Sequence, residues 1–231
     1  MAEVCKNCNH TVTQKFCPNC GQAAHTHKID WTYLGHEIQH GLFHVDRGIL
    51  YTTKHLLFHP GYTIKEFING KRVRHFKPLA YLVIISTIYL LINSAVGEGS
   101  FLGGFLESIS RYKSENKSST LQSIRAVISW FENHAVYLTI LTIPALALAS
   151  KWAFRKSRYH YVEHLVLHCY LSGLISVLYT IVTPFYFVAK SSSSRDLLGL
   201  LQALFVVFVT LWTFAEFFKP LPFWKVLLRS L

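Results

Sequence analysis

Charge is scarce in this chain, and acidic charge scarcer still. Of 231 residues only 15% are charged, with 12 Asp and Glu against 23 Lys and Arg. A shortage of acids excludes a row of carboxylates for proton relay through a membrane. No apolar run occurs in the first twenty residues, so no cleavable signal peptide is expected and the N-terminus is expected to be retained. A Gly-rich phosphate loop and a nucleophile elbow are both missing, which removes the common nucleotide-binding and hydrolase patterns. There is no His-His dipeptide, a hallmark of di-iron membrane oxygenases. No inverted repeat of the transporter kind is visible.

What is abundant is apolar surface gathered into blocks. Hydrophobic residues make up 51% of the chain and aromatics 15%, with mean hydropathy +0.29. Four blocks approach the ~20 residues that cross a ~30 Å hydrocarbon core: about 78–96, 135–154, 164–188 and 197–218. Pro144 and Pro184 fall inside or near the ends of the second and third. A bilayer tolerates them where neighbours re-satisfy the freed carbonyls. Two Cys-x-x-Cys pairs at the N-terminus, Cys5/Cys8 and Cys17/Cys20, have the ligand spacing of a zinc ribbon. The expected fold is an all-α integral membrane protein of about four transmembrane helices, with a small N-terminal zinc ribbon and amphipathic interfacial helices. The expected organisation is a ribbon over 1–27, His-rich amphipathic juxtamembrane helices over 28–77, and a transmembrane domain over 78–231.

The net charge of +11 suits nucleic acid, anionic lipid or membrane topology, and placement decides among them. Lys71, Arg72, Arg74 and Lys77 precede the first block. Lys151, Arg155, Lys156 and Arg158 follow the second, and Lys219, Lys225 and Arg229 follow the fourth. The loop over 97–133 sets Arg111, Lys113, Lys117 and Arg125 against Glu98, Glu107, Glu115 and Glu132 and is neutral. The positive-inside rule then puts the N-terminus, the second loop and the tail in the cytoplasm. The basic excess reads as topology, and no nucleic-acid partner is expected. Lys71, Arg72 and Arg74 would meet anionic headgroups of the lipid bilayer. The tail over 219–231 reads either as an interfacial helix or as the start of a fifth span.

Ahead of all this stand Cys5-x-x-Cys8 and Cys17-x-x-Cys20. Each pair presents two thiolates from one tight turn, and two such turns close a tetrahedral S₄ site suited to Zn²⁺, with iron the alternative. Disulfide or thiol redox chemistry is the competing use of these cysteines. A cytoplasmic side disfavours the first, and the duplication disfavours a single redox pair. With all four positions taken by sulfur, the metal would be structural. Cys169 reads as a small buried apolar residue.

Histidine is over-represented, at 13 residues. His36, His40 and His44 stand at i, i+4, i+8, and so do His160, His164 and His168. Each trio shares one helical face and forms either a second metal site or an interfacial cluster. Glu216, near the end of the fourth block, is the candidate functional residue within the membrane, and Lys219 or Arg155 its expected ion-pair partners.

Over residues 28–77 the apolar positions recur at helical spacing. They predict one helix ending at His59-Pro60-Gly61 and a short second helix over about 63–68, stopped by Asn69-Gly70.

The chain resembles an uncharacterised family of bacterial membrane proteins, known as a domain of unknown function, that joins an N-terminal zinc ribbon to a multispan part. The residues carrying the likeness are Cys5, Cys8, Cys17, Cys20 and Gly21, the stretch from Asp46 to Thr52, and His59-Pro60-Gly61. It continues through the run from Phe67 to Arg72 and Lys77-Pro78, and it is densest over 1–92. The resemblance implies a bacterial inner-membrane, multi-pass protein and implies no reaction. Function is therefore expected among three classes. The first is a membrane-anchored adapter or scaffold whose ribbon docks a protein partner. The second is a small transporter, channel or lipid-handling protein, and the third a His-metal membrane enzyme.

Overall fold

A computed structural model describes residues 3–26, 29–33, 35, 48–96, 130, 135–189, 191–219, 221, 222, 224 and 226. Two short strands, β1 (Glu3–Val4) and β2 (Thr11–Val12), pair antiparallel with Glu3 opposite Val12. A single bridge between Phe16 and Ala23 marks a second hairpin. Among the described residues six helices follow: α1 (Gly48–Phe58), α2 (Pro60–Ile68), α3 (Pro78–Val96), α4 (Ala135–Ala153), α5 (Tyr161–Val188) and α6 (Ser192–Phe217).

The break between α1 and α2 is written in His59-Pro60. Proline cannot donate to α1, but its fixed φ suits the first position of a new helix, and α2 starts there. It begins a few residues before the expected Thr63 for that reason. Its stop is a Schellman motif: Gly70 N–H bonds Phe67 O at 3.1 Å and Lys71 N–H bonds Glu66 O at 2.9 Å. Gly70 supplies the positive φ of 103° that this motif requires. Along α2 the buried residues recur as Pro60 and Gly61, Thr63 and Ile64, Phe67 and Ile68, one continuous stripe at helical spacing.

Among the described residues three helices are long and apolar enough to cross a membrane. Pro78–Ala95 of α3 has a mean hydropathy of 1.7, Tyr161–Tyr186 of α5 1.9, and Ser193–Phe217 of α6 2.2. They mark a membrane protein. The 19-residue α4 occupies the place of the expected second block and contains Pro144. Helices α5 and α6, which hold the third and fourth apolar blocks, begin earlier than those blocks, at Tyr161 and Ser192. In α5 the reason is visible: the Glu163 carboxylate accepts the His160 backbone N–H at 2.6 Å and draws a polar first turn into the helix.

Helix α5 is the hub, with 56% of its apolar window buried against 28% for α3 and 22% for α6. It touches α3, α4, α6 and both short helices. Small residues bring α3 and α5 together. A Cβ on Gly173 would lie 2.6 Å from the Tyr81 ring, and Ser86 and Ser176 share a hydrogen bond at 3.2 Å. Between helices in lipid, such close approach and hydroxyl bonding replace the hydrophobic drive that water supplies elsewhere. On α6, Leu197, Leu200, Leu201, Leu204, Phe205 and Phe208 form an exposed stripe, a surface that hydrocarbon satisfies and water does not.

The start of α3, the end of α4, the start of α5 and the end of α6 meet at one pole, capped by α1 and α2. Tyr170 of α5 donates to Phe76 O just before α3. Phe154, after α4, stacks on Phe218 with centroids 3.8 Å apart, and Tyr159 packs on Phe217 at 4.4 Å. Gly61 of α2 lies so close to α6 that a Cβ would sit 2.5 Å from Thr213 O and Phe217 N.

Candidate metal centre

The two Cys-x-x-Cys turns have the same backbone construction. Cys5 N–H bonds His10 O at 2.9 Å and Asn9 N–H bonds Cys5 O at 2.9 Å. Cys17 N–H bonds Gln22 O at 2.7 Å and Gly21 N–H bonds Cys17 O at 2.9 Å. The residue after each second cysteine adopts positive φ, 60° at Asn9 and 74° at Gly21. Glycine reaches that region freely and asparagine is among the few side chains that tolerate it. Sequence reasoning singled out Gly21. Asn9 carried the matching signal, because it holds the same place in the first turn.

This construction gathers four sulfurs. Cys5 Sγ lies 3.5 Å from Cys20 Sγ, and Cys8 Sγ 3.5 Å from Cys17 Sγ. All four ligand atoms fall within 4.8 Å of one another. A tetrahedral ion with ~2.3 Å bonds to sulfur sets its sulfurs about 3.8 Å apart, so the four thiols fit one ion. None is in a disulfide. Electrostatics already separates the thiols. The His10 backbone N–H, helped by the Asn19 side chain, pulls Cys8 down to about 6, whereas burial pushes Cys17 up to about 11. A cation at the centre would favour the thiolate of all four. Among the described residues these cysteines form the only group of three or more His, Cys, Asp or Glu side chains placed to share a metal.

The histidines behave differently. His36, His40 and His44 lie outside the described residues. His160, His164 and His168 do not converge on one centre. His160 is exposed at the start of α5. His164 and His168 are buried, and both bond Ser150 of α4, from Nδ1 at 2.8 Å and Nε2 at 3.0 Å. Equal spacing put the three on one face, but His160 lies beyond the packed part of that face. Ser150, which fills the gap between the other two, had no sequence signal. Cys169 is buried on α5 against Leu165, Ile143 and Ala147.

Glu216 reaches neither Lys219 nor Arg155 in an ion pair. Its Oε2 instead accepts the Gly61 N–H at 3.0 Å, with the Tyr62 N–H at 3.3 Å. These are free donors in the first turn of α2, the positive end of its dipole, and they compete well for a carboxylate. His59 Nδ1 stands 3.7 Å from Oε1.

Over residues 46–90, from just before α1 into α3, the chain is similar to a family described as "Protein of unknown function (DUF3667)". No curated protein and no solved structure matches the chain.

Proposed function

We propose that this is a multi-pass protein of the bacterial inner membrane that acts as an adapter. In this reading α3 to α6 are its four spans, and residues 3–26 form a cytoplasmic zinc ribbon that docks a protein partner. The observation that carries the reading is a metal site with all four coordinating positions filled by sulfur, beside exposed apolar side chains. A closed site has no position left for substrate, so its product is shape. On that small module Val4 is 63% exposed and Phe16 61%, which is costly for a surface with nothing to bind.

Orientation is supported by the pole at which the helix ends meet. Lys71, Arg72, Arg74 and Lys77 precede α3, Lys151, Arg155, Lys156 and Arg158 lie at the α4–α5 connection, and Lys219 follows α6. An even number of spans returns all of these segments, and the module with them, to one side. That side is the cytoplasm by the positive-inside rule, where the exposed Arg155, Lys156 and Arg158 meet anionic headgroups. Zinc is the ion this donor set favours in a reducing compartment.

The test is affinity capture with cross-linking on the full chain, comparing intact, Phe16→Ala and Cys17→Ser proteins. The adapter reading expects a partner set that shrinks with Phe16→Ala and is lost with Cys17→Ser. Identical sets for all three contradict it.

A further inference from the structure

Gln22 belongs to two structures at once. It follows Cys20-Gly21, and its backbone carbonyl closes the second cysteine turn by accepting the Cys17 N–H. Its side chain, 3% exposed, leaves the module and meets the Schellman turn that ends α2. There Nε2 donates to Gly70 O at 2.8 Å and Oε1 accepts the Arg72 N–H at 3.1 Å. A carbonyl can only accept and an amide N–H can only donate, so this pairing fixes which way the Gln22 amide points. One side chain thus reproduces the two-bond pairing that a neighbouring strand would make with residues 70 and 72.

The rest of the contact is equally close. A Cβ on Gly70 would fall 2.6 Å from Thr26 Oγ1 and 3.0 Å from Lys6 Cδ. Lys6 lies inside the first cysteine turn and Thr26 just beyond the second hairpin, so both halves of the module bear on this one glycine. Beyond the turn, Lys71 Nζ pairs with Glu66 at 2.6 Å and the Arg72 guanidinium lies over the Tyr33 ring at 4.7 Å.

We propose that the Cys₄ site and the α2–α3 turn form one thermodynamic unit joined through Gln22, so that loading the metal seats the module on the helical domain and losing it unseats it. The second cysteine turn holds its shape only when four thiolates share an ion, because residues 3–26 bury too little apolar surface to fold by themselves. When the turn loosens, Gln22 loses its position, and Gly70 O and Arg72 N–H lose their partner. Linkage makes the effect reciprocal: whatever holds the Gln22 contact also tightens the metal. This regulates the module invoked by the adapter reading, yet it concerns the protein alone and stands or falls without any partner.

The experiment uses the full chain in detergent micelles or nanodiscs, loaded with zinc. Amide hydrogen exchange over residues 69–76 is followed with and without a chelator, and zinc affinity is measured by chelator competition for wild type, Gln22→Ala and Gln22→Glu. In wild type, chelation is expected to speed exchange at Arg72 and its neighbours. Gln22→Ala is expected to keep one zinc per chain but bind it about tenfold more weakly, the scale of one or two lost buried hydrogen bonds. Its exchange at 69–72 should be fast in both states. Gln22→Glu, which keeps the acceptor for Arg72 and loses the donor to Gly70, should fall between. Wild-type exchange indifferent to zinc overturns the proposal without recourse to a variant, and so does a Gln22→Ala affinity equal to wild type. A partner lost or kept in the capture experiment changes neither readout.

Discussion

Removing the Glu216 carboxylate should loosen α2 from α6 without touching the metal. Its side chain is 16% exposed and supplies the acceptor for the Gly61 N–H at 3.0 Å and a longer one for Tyr62 at 3.3 Å. Only the first has good length, so one charge-assisted bond and one weak contact are at stake. His59, 67% exposed and 3.7 Å away, adds little in solvent. Glu216→Ala leaves the part-buried Gly61 N–H without its acceptor, while the exposed Tyr62 N–H can turn to solvent, and should cost about 2 kcal/mol. Glu216→Gln keeps an acceptor oxygen and loses the charge at the helix N-terminus, for about 0.5–1 kcal/mol. Denaturant unfolding in micelles followed by circular dichroism reads both, with zinc content as a control that should not change. An Ala variant as stable as wild type, or a Gln variant as damaged as the Ala variant, refutes the capping role. Wild-type stability with lost solute flux in proteoliposomes would instead move Glu216 to the transporter reading.

Burial holds His75 down at about 4, against 6.5 in an unfolded chain. As pH falls from about 6.5 to about 4 the unfolded state takes up a proton that the folded state refuses, so stability should drop by up to about 3 kcal/mol. His75→Phe should make that stretch of the stability profile shallower by its one-proton share, measured as unfolding midpoint against pH. Gly173→Ala should destabilise by about 1–3 kcal/mol, because the new methyl meets a Tyr81 ring that cannot swing away. Tyr81 is fully buried, and its hydroxyl bonds Thr53 at 3.0 Å. Ser150→Ala strips His164 and His168 of their shared partner and should cost about 2 kcal/mol in the same unfolding assay, with zinc content unchanged.

The parts of this molecule that could be read from sequence are those that local physics dictates. An apolar run of about twenty residues has few places to go but a bilayer, which is why α3, α5 and α6 were visible. Cys-x-x-Cys presents two sulfurs from one turn whatever surrounds it, and Asn69-Gly70 ends a helix because glycine alone takes its φ without cost. Pairings across long stretches of chain were not legible. Gln22 looks like any surface amide until residue 70 arrives beside it, and Glu216 meets Gly61 from 155 positions away. Its charge could be found in the sequence but its partner could not, since a helix N-terminus carries no residue letter. The histidines of α5 show a related limit. Periodicity reports which side of a helix a residue is on, not how far along that side the neighbouring helix extends, and α4 offers Ser150 to His164 and His168 only.

The most direct test of the central claim is elemental analysis of the purified full chain, intact and as Cys17→Ser. One zinc per intact chain, absent from Cys17→Ser, is the predicted result. An intact chain with no bound metal, or zinc kept by the Cys17→Ser protein, would contradict it.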